Sequence, residues 1–420
     1  MLGRKRRVKL GARVLKLGSC GGDVSLLQQR LKEFGYEPGP VDGIFGYLTQ
    51  EALQFFQRDY RLKIDGIAGK EVFTLLNQAK LPIARRVHIV QPGETLGSIA
   101  DQYQVGPEAF FDHHKKSIYP GQELVFYDRE VWGVLTEGLQ AQESLAANQE
   151  SLTGVFFPMN PEKGVPRYVQ AVKCPKVAQV VFDEAELISV HSLLSRRKMR
   201  RSFLRFCREL ADKVDGVWLG WEHISRVDGY RYHKLLRSIK RQIGPLRLIV
   251  TLTCAMPRWN ILGGIDFAAV GGTADQVVVK PPIPEPGSPI LDKGRCEQML
   301  HRMLNYVPAY KILLSVPVHA LLWNQAEPGA PQRLSCGEAK ARAFRHGARQ
   351  ETDSCGTTVF HFIHQQKEWT LRIPSLEQVN QCLTLVNRYN LAGIVIDRMG
   401  EEDKRFWARI RNHFCISKHM

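Results

Sequence analysis

The chain has no uninterrupted run of about 18 apolar residues, the length at which a helix becomes a candidate to span a bilayer, which excludes a transmembrane helix. It also lacks a disulfide framework. Its nine cysteines are scattered from Cys20 to Cys415 with no Cys-x-x-Cys pair and no metal-ligand spacing. That usage fits buried free thiols made in a reducing compartment. Acidic residues are in deficit, with Asp and Glu totalling 42 against 58 Lys and Arg, a formal charge of +16. Such a surface attracts any polyanion, whether nucleic acid or an anionic wall polymer. No zinc-finger, helix-turn-helix or RNA-recognition pattern accompanies the charge, so nucleic acid is not the expected partner. Nor does an apolar stretch follow the basic segment 1–13, so no secretory signal is recognised there.

What is present is a chain of 420 residues, 44% of them hydrophobic, enough for two to four globular units. The densest basic runs are Arg4 to Arg7 and Arg196 to Arg201. The second run sits in a segment where Met199, Phe203, Phe206 and Leu210 fall at helical spacing, which predicts an amphipathic helix with its charges in solvent. Charge alone does not choose a partner.

Residues 14–80 predict three short helices. Val24, Leu27 and Leu31 share a helical stripe ended by Gly35, and Asp42-Gly43 and Asp65-Gly66 are turn dipeptides, each ahead of a helix. The matches Gly22-Asp23-Val24, Leu27-Gln28, Gly35-Tyr36, Asp42-Gly43, Phe45-Gly46, Thr49, Phe56-Gln57 and Asp65-Gly66 make this unit resemble the peptidoglycan-binding domain family. The resemblance places glycan binding at the loop Asp42, Gly43, Phe45 and Gly46. Residues 87–127 predict a strand, two short helices and a returning strand. With Pro92-Gly-Glu-Thr-Leu, Ile99-Ala100, Tyr103 and Pro120-Gly121, they resemble a LysM domain, with His113 or His114 where that family usually has Asn. That likeness implies a groove for N-acetylglucosamine chains between Gly93, Glu94, Thr95 and Leu96 on one side and Ile118, Tyr119, Pro120 and Gly121 on the other.

From residue 130 to 420, eight strand-like runs alternate with helical stretches, which predicts a (β/α)8 barrel with its site at the strand C-terminal ends. The run Asp215-Gly-Val-Trp-Leu-Gly-Trp-Glu222 places Trp218, Gly220 and Glu222 on one strand face and Val217, Leu219 and Trp221 on the other. It resembles the signature of glycoside hydrolase family 18, Asp-Gly-x-Asp-x-Asp-x-Glu, and the barrel most resembles the LysM-bearing sporulation glucosaminidases of that family. In that family the substrate's own acetamido oxygen is the nucleophile, an exception to the two-carboxylate scheme. The resemblance makes Glu222 the general acid and Asp215 the first signature aspartate. It puts Gly220 where the family has its assisting Asp, Trp218 where it has the middle Asp, Pro282 where it has a Tyr, and Asp397 where it has the floor Trp.

Two readings therefore stay open. One is a wall-binding protein with an impaired barrel; the other is an active cortex β-N-acetylglucosaminidase using Glu222. Both imply peptidoglycan glycan strands as partner, other spore coat or cortex proteins as further partners, and no cofactor or metal. The resemblance implies deposition on the spore cortex or coat after synthesis in the mother-cell cytoplasm. His361 and His364 alternate on a predicted strand without a third ligand at fitting spacing. Trp132, Trp323 and Trp369 suit sugar stacking and core packing equally.

Overall fold

A computed structural model describes residues 10–60, 62–78, 83, 85–110, 117–161, 164–182, 186–253, 263–281, 284, 288, 290–325 and 331–418. The N-terminal unit packs α1 (Gly22–Glu33), α2 (Tyr47–Asp59) and α3 (Lys70–Gln78) around Leu27, Leu31, Phe34, Phe56 and Leu76. Its two Asp-Gly turns are copies of one device. Buried Gln28 donates from Nε2 to Asp42 Oδ1 and the Ile44 carbonyl and accepts from the Gly43 N–H. Gln57 does the same with Asp65, Ile67 and Gly66. Both glycines have positive φ, 77° and 67°, where a side chain is strained.

Next, β1 (Arg85–Ile89) and β2 (Glu123–Val134) pair antiparallel around α4 (Leu96–Gln102) and a 3₁₀ turn at Pro107–Ala109. The second helix expected up to His114 is described only as that turn, and His113 and His114 lie outside the described residues. β2 does not stop at the end of this unit. Its last residues are the first strand of the barrel, pairing in parallel with the strand before and the strand after in the ring.

Among the described residues, eight parallel strands close that ring. They are β2, β3 (Gly154–Met159), β4 (Lys176–Val180), β5 (Gly216–Leu219), β6 (Arg247–Thr253), β7 (Gln276–Lys280), β8 (Ile312–Val316) and the last strand, which pairs with both β8 and β2. Between β8 and that last strand the chain inserts a five-stranded antiparallel sheet. It comprises β9 (Ala320–Asn324), β10 (Gln332–Leu334), β11 (Arg349–Thr352), β12 (Thr358–His364) and β13 (Lys367–Ile373). The closing strand is β14 (Gly393–Ile396). The outer helices are α5 (Leu139–Asn148), α6 (Arg167–Gln170), α7 (Glu186–Ser195), α8 (Arg197–Leu210), α9 (Gly229–Ile243), α10 (Phe267–Thr273) and α11 (Lys293–Leu304). α12 (Cys336–Arg345) covers the inserted sheet, and α13 (Leu376–Arg388) and α14 (Phe406–His413) complete the ring. None of the described helices is long and apolar enough to cross a membrane.

The predicted strand alternation is what builds the two layers of the core. Val217, Leu219 and Trp221 face the helices, while Trp218 faces the lumen with Trp132, Phe156, Ile249, Val278, Leu313 and Val395. Trp132 and Phe156 stack at 4.7 Å between ring centroids, and Phe156 and Trp218 meet at the same distance. Buried rings therefore fill the barrel axis. At its lower end Glu130 Oε2 accepts from Trp132 Nε1 (2.7 Å), Arg247 Nη1 (2.8 Å) and Gln276 Nε2 (3.0 Å).

The small units are seated on the barrel by direct bonds. The Ala309 N–H donates to the Gly35 carbonyl at 2.7 Å, and the Gly106 N–H to the Asn412 carbonyl at 2.8 Å. Arg129, buried in the shared strand, donates to Asn387 Oδ1, Asn390 Oδ1 and the Leu391 carbonyl. Burial pushes its guanidinium down to about 10, so it remains a cation at physiological pH.

Candidate functional site

The C-terminal ends of the barrel strands surround a cavity of about 400 Å³ lined in part by Glu222, Lys280, Ser315, His319, Arg333 and Asp397. Glu222 reaches it because β5 is followed by two further residues in extended alternation, carrying the carboxylate past the ring. Lys280, the last residue of β7, donates from Nζ to Glu222 Oε1 at 2.8 Å, and the same ammonium lies 5.8 Å from the centre of the Trp218 ring. The contact is a charge pair, unlike the carboxyl–carboxylate arrangement implied by the family signature.

Asp397 stands just past β14, with Oδ2 3.5 Å from His319 Nδ1 and 3.6 Å from Arg333 Nη1. Burial pushes the Asp397 carboxyl up. Lys280, His319, Arg333 and Arg398 outweigh that and hold it below its ordinary range. Burial drives the His319 imidazole the other way, down from its ordinary value, against the pull of Asp397. The cavity thus alternates cations and carboxylates, and Asp397 shares it with Glu222.

Asp215 is not part of this site. It precedes β5 at the opposite end of the barrel, roughly 20 Å along the strand from Glu222, where its Oδ2 accepts the Lys176 N–H at 2.9 Å. Its work is to cap a neighbouring strand. At Gly220 the space beside the backbone is occupied: a Cβ there would lie 2.8 Å from Gln179 Nε2 and 3.3 Å from Gln179 Cγ. The place of the middle signature aspartate is filled too, since Trp218 is buried with its Nε1 donating to Thr251 Oγ1 at 2.9 Å. Pro282, matched to the family Tyr, lies outside the described residues.

The remaining sequence expectations sort as follows. Gly93 and Gly121 have positive φ and open space where a Cβ would stand. The Gly121 N–H donates to the Val90 carbonyl at 2.8 Å, which sets the loop after β1 beside the loop before β2. Thr95 caps α4 in a reciprocal box with Ser98. Glu94 accepts from the Gln91 N–H and pairs with His88, and these contacts hold its carboxyl below the ordinary range. Leu96 and Ile118 pack on the small core, while Tyr119 is 64% exposed. In the first unit Phe45 is 1% exposed and belongs to the core, and Asp42 and Gly43 are held by Gln28. They shape that loop, and Val41, Ile44, Tyr47 and Leu48 beside them are exposed. Trp132 and Trp323 are buried. His361 bonds Thr370, and His364 lies 4.7 Å from His346. No group of three metal-capable side chains occurs among the described residues.

Residues 20–76 match the peptidoglycan binding domain family and residues 88–126 the LysM domain family. The chain carries both domains. A spore cortex-lytic enzyme of Bacillus cereus is 44% identical over 66 residues, 16% of this chain and 26% of that protein. The Bacillus subtilis spore cortex-lytic enzyme is 35% identical over 99 residues, 22% and 32% of the two chains. These alignments therefore span about a quarter to a third of the curated relatives. The solved spore cortex-lytic enzyme SleL of Bacillus megaterium superposes with a TM-score of 0.60 at 18% identity, covering 80% of this chain and 87% of that one. A chitinase from Chromobacterium violaceum gives 0.58 at 20% identity, covering 68% and 98%. A glycoside hydrolase family 18 N-acetylglucosaminidase from Paenibacillus barengoltzii gives 0.51 at 14%, covering 68% and 99%. At these identities the likeness is one of fold. The LysM domain and the barrel share β2, a continuity that neither domain's motifs announce.

Proposed function

We propose that this protein is a peptidoglycan-binding protein of the bacterial spore wall, with three glycan-directed units at residues 14–80, 87–127 and 130–420, and that its barrel has lost hydrolytic power. The observation that carries the reading is Gln179, which fills the space beside Gly220 where the family's assisting aspartate would stand. The Lys280–Glu222 pair supports it, because a general acid must deliver a proton and this carboxylate instead accepts from an ammonium. Losing one preorganised electrostatic group costs about 10²–10³ in rate. Such losses do not add simply, but with two signature aspartates replaced little turnover is expected.

The binding units act by linkage. Two modest glycan sites on one frame give an avidity well above either alone when both reach the same strand, and a LysM strand that continues into the barrel keeps their spacing stiff. Deposition in the cortex or coat and synthesis in the mother cell belong to the same reading. Glu222→Gln is expected to leave release of reducing ends from purified cortex peptidoglycan at the same background level as the parent, with co-sedimentation retained. Release by the parent that the substitution abolishes would establish the alternative, an active cortex β-N-acetylglucosaminidase. Tyr119→Ala is expected to weaken N-acetylglucosamine-oligomer binding about tenfold, the loss of ~1.4 kcal/mol of contact. Unchanged affinity in calorimetry would remove the groove between Gly93 and Gly121 from the binding surface.

A further inference from the structure

The charge of the chain is concentrated on two adjacent helices of the barrel wall. α8 carries six basic residues and one acidic, and α9 five basic and none acidic. Their net +10 compares with +16 for the whole chain. The two helices pack side by side, and Arg208 Nε bonds Gln242 Oε1 at 2.8 Å across their C-terminal ends. We propose that the joint outer face of α8 and α9 is a docking surface for a linear phosphodiester polymer of the wall, separate from the barrel-top cavity.

The geometry is that of a track. Arg197, Arg201 and Arg205 follow one another at i, i+4 on α8, and Lys234, Arg237 and Arg241 form a second line on α9. Residues so spaced recur about every 6 Å along a helix, and neighbouring helices lie about 8–10 Å apart. All six are exposed, and none has a carboxylate within ion-pair distance among the described residues. The nearby basic residues Arg231 and Lys240, by contrast, are paired with Asp228 at 3.2 Å and Asp275 at 2.6 Å. Closely spaced unpaired cations repel one another, so the face is relieved by a partner carrying one negative charge per short repeat. Five of the six are arginines, whose planar fork suits phosphate oxygens better than a lysine's point charge does.

Other polyanions fit less well. Both helices bury most of their apolar faces, Phe203, Cys207 and Leu210 on α8 and Leu235, Leu236 and Ile239 on α9, and the exposed Met199 and Tyr230 form no continuous apolar face to insert into a membrane. A single exposed ring, Tyr230, ends the α9 line, whereas single-stranded nucleic acid is held on successive stacked aromatics. The choice of a wall polymer among polyanions rests on the wall-binding reading above.

The test uses the full chain and poly(glycerol phosphate), followed by fluorescence anisotropy between about 50 and about 200 mM salt. The variant Arg201→Gln/Arg205→Gln/Lys234→Gln/Arg237→Gln, checked for native circular dichroism, is expected to bind at least about tenfold more weakly. Its log–log salt slope should be shallower by about three, at ~0.7 per lost contact for a single strand. Replacing Arg201, Arg205 and Arg237 by Lys should keep the slope while weakening binding severalfold. Binding by the neutralised variant equal to that of the parent overturns the proposal. So does tighter binding of equal-charge single-stranded DNA or of phosphatidylglycerol vesicles than of the polymer. Polymer binding that persists while polymer-free peptidoglycan fails to co-sediment supports this face and counts against the function proposed above alone.

Discussion

Arg129→Met is expected to cost about 3 kcal/mol of stability, visible as a shift of the urea midpoint with the slope unchanged. Two effects oppose each other. The buried guanidinium is disfavoured by burial, its pKa lowered from 12.5 to about 10. Removing it therefore relieves about 3 kcal/mol at 1.36 kcal/mol per unit. Against this, Asn387 Oδ1, Asn390 Oδ1 and the Leu391 carbonyl lose their donor. An orphaned buried acceptor costs about 1–3 kcal/mol; the Leu391 carbonyl carries that in full, the part-buried Asn387 and Asn390 oxygens carry less, and the guanidinium's contact with the Tyr127 ring at 5.2 Å is lost as well, so together they outweigh the relief. Arg129→Lys should fall between parent and Met, because a single ammonium nitrogen cannot stand in both places that Nε and Nη1 occupy, one against Asn387 near the end of α13 and the other against Asn390 and Leu391 just past it. Arg129 sits in the strand shared by the LysM domain and the barrel, so the loss should also loosen their junction and lower avidity for long glycans more than for short oligomers. A midpoint equal to that of the parent would show that the turn is held without the cation.

Gly220→Asp, the substitution that restores the family signature at its most important place, is expected to lower stability by about 3 kcal/mol and to yield no hydrolysis. Its Cβ would press on Gln179 Nε2 at 2.8 Å. A carboxylate at this buried position would have the Gln179 amide as its neighbouring donor, one group for two oxygens, and an imperfectly satisfied buried polar group costs several kcal/mol. Combining it with Gln179→Ala should recover part of the stability by removing the collision, while Lys280 still pairs with Glu222. The decisive readouts are the urea midpoint of the single and double variants and reducing ends released from cortex peptidoglycan. Appearance of activity in the single variant would mean that Gln179 swings aside and that the barrel is one substitution from an enzyme.

Much of the architecture was legible in the chain because it is written at short range. Gly22-Asp-Val and the two Asp-Gly turns announce the first domain. Pro-Gly-Glu-Thr-Leu announces the LysM domain, and strand alternation around Trp218 predicts which residues line the lumen. The helix over Gly229 to Ile243 is read to its ends, since its apolar residues keep one period and Gly244 stops it. The inserted sheet β9–β13 was not anticipated, although Thr358 to His364 alternates, because a search for strand–helix repeats passes over an antiparallel interruption. Arg333, which lines the cavity from that sheet, carries no local signal at all.

The sequence by itself determined the two small N-terminal domains, the barrel and the departure of the Asp215–Glu222 strand from the family 18 signature it resembles. All of these rest on periodicity and turn chemistry within a few residues. Only the tertiary structure decided what surrounds the departing residues. Gln179 stands beside Gly220 because β4 and β5 are neighbours in register, and Lys280 meets Glu222 because two strand ends converge on one rim. Likewise, α8 and α9 add their charges because they pack side by side. Contacts of this kind depend on strand register and helix packing between distant segments, which no local pattern in the chain encodes.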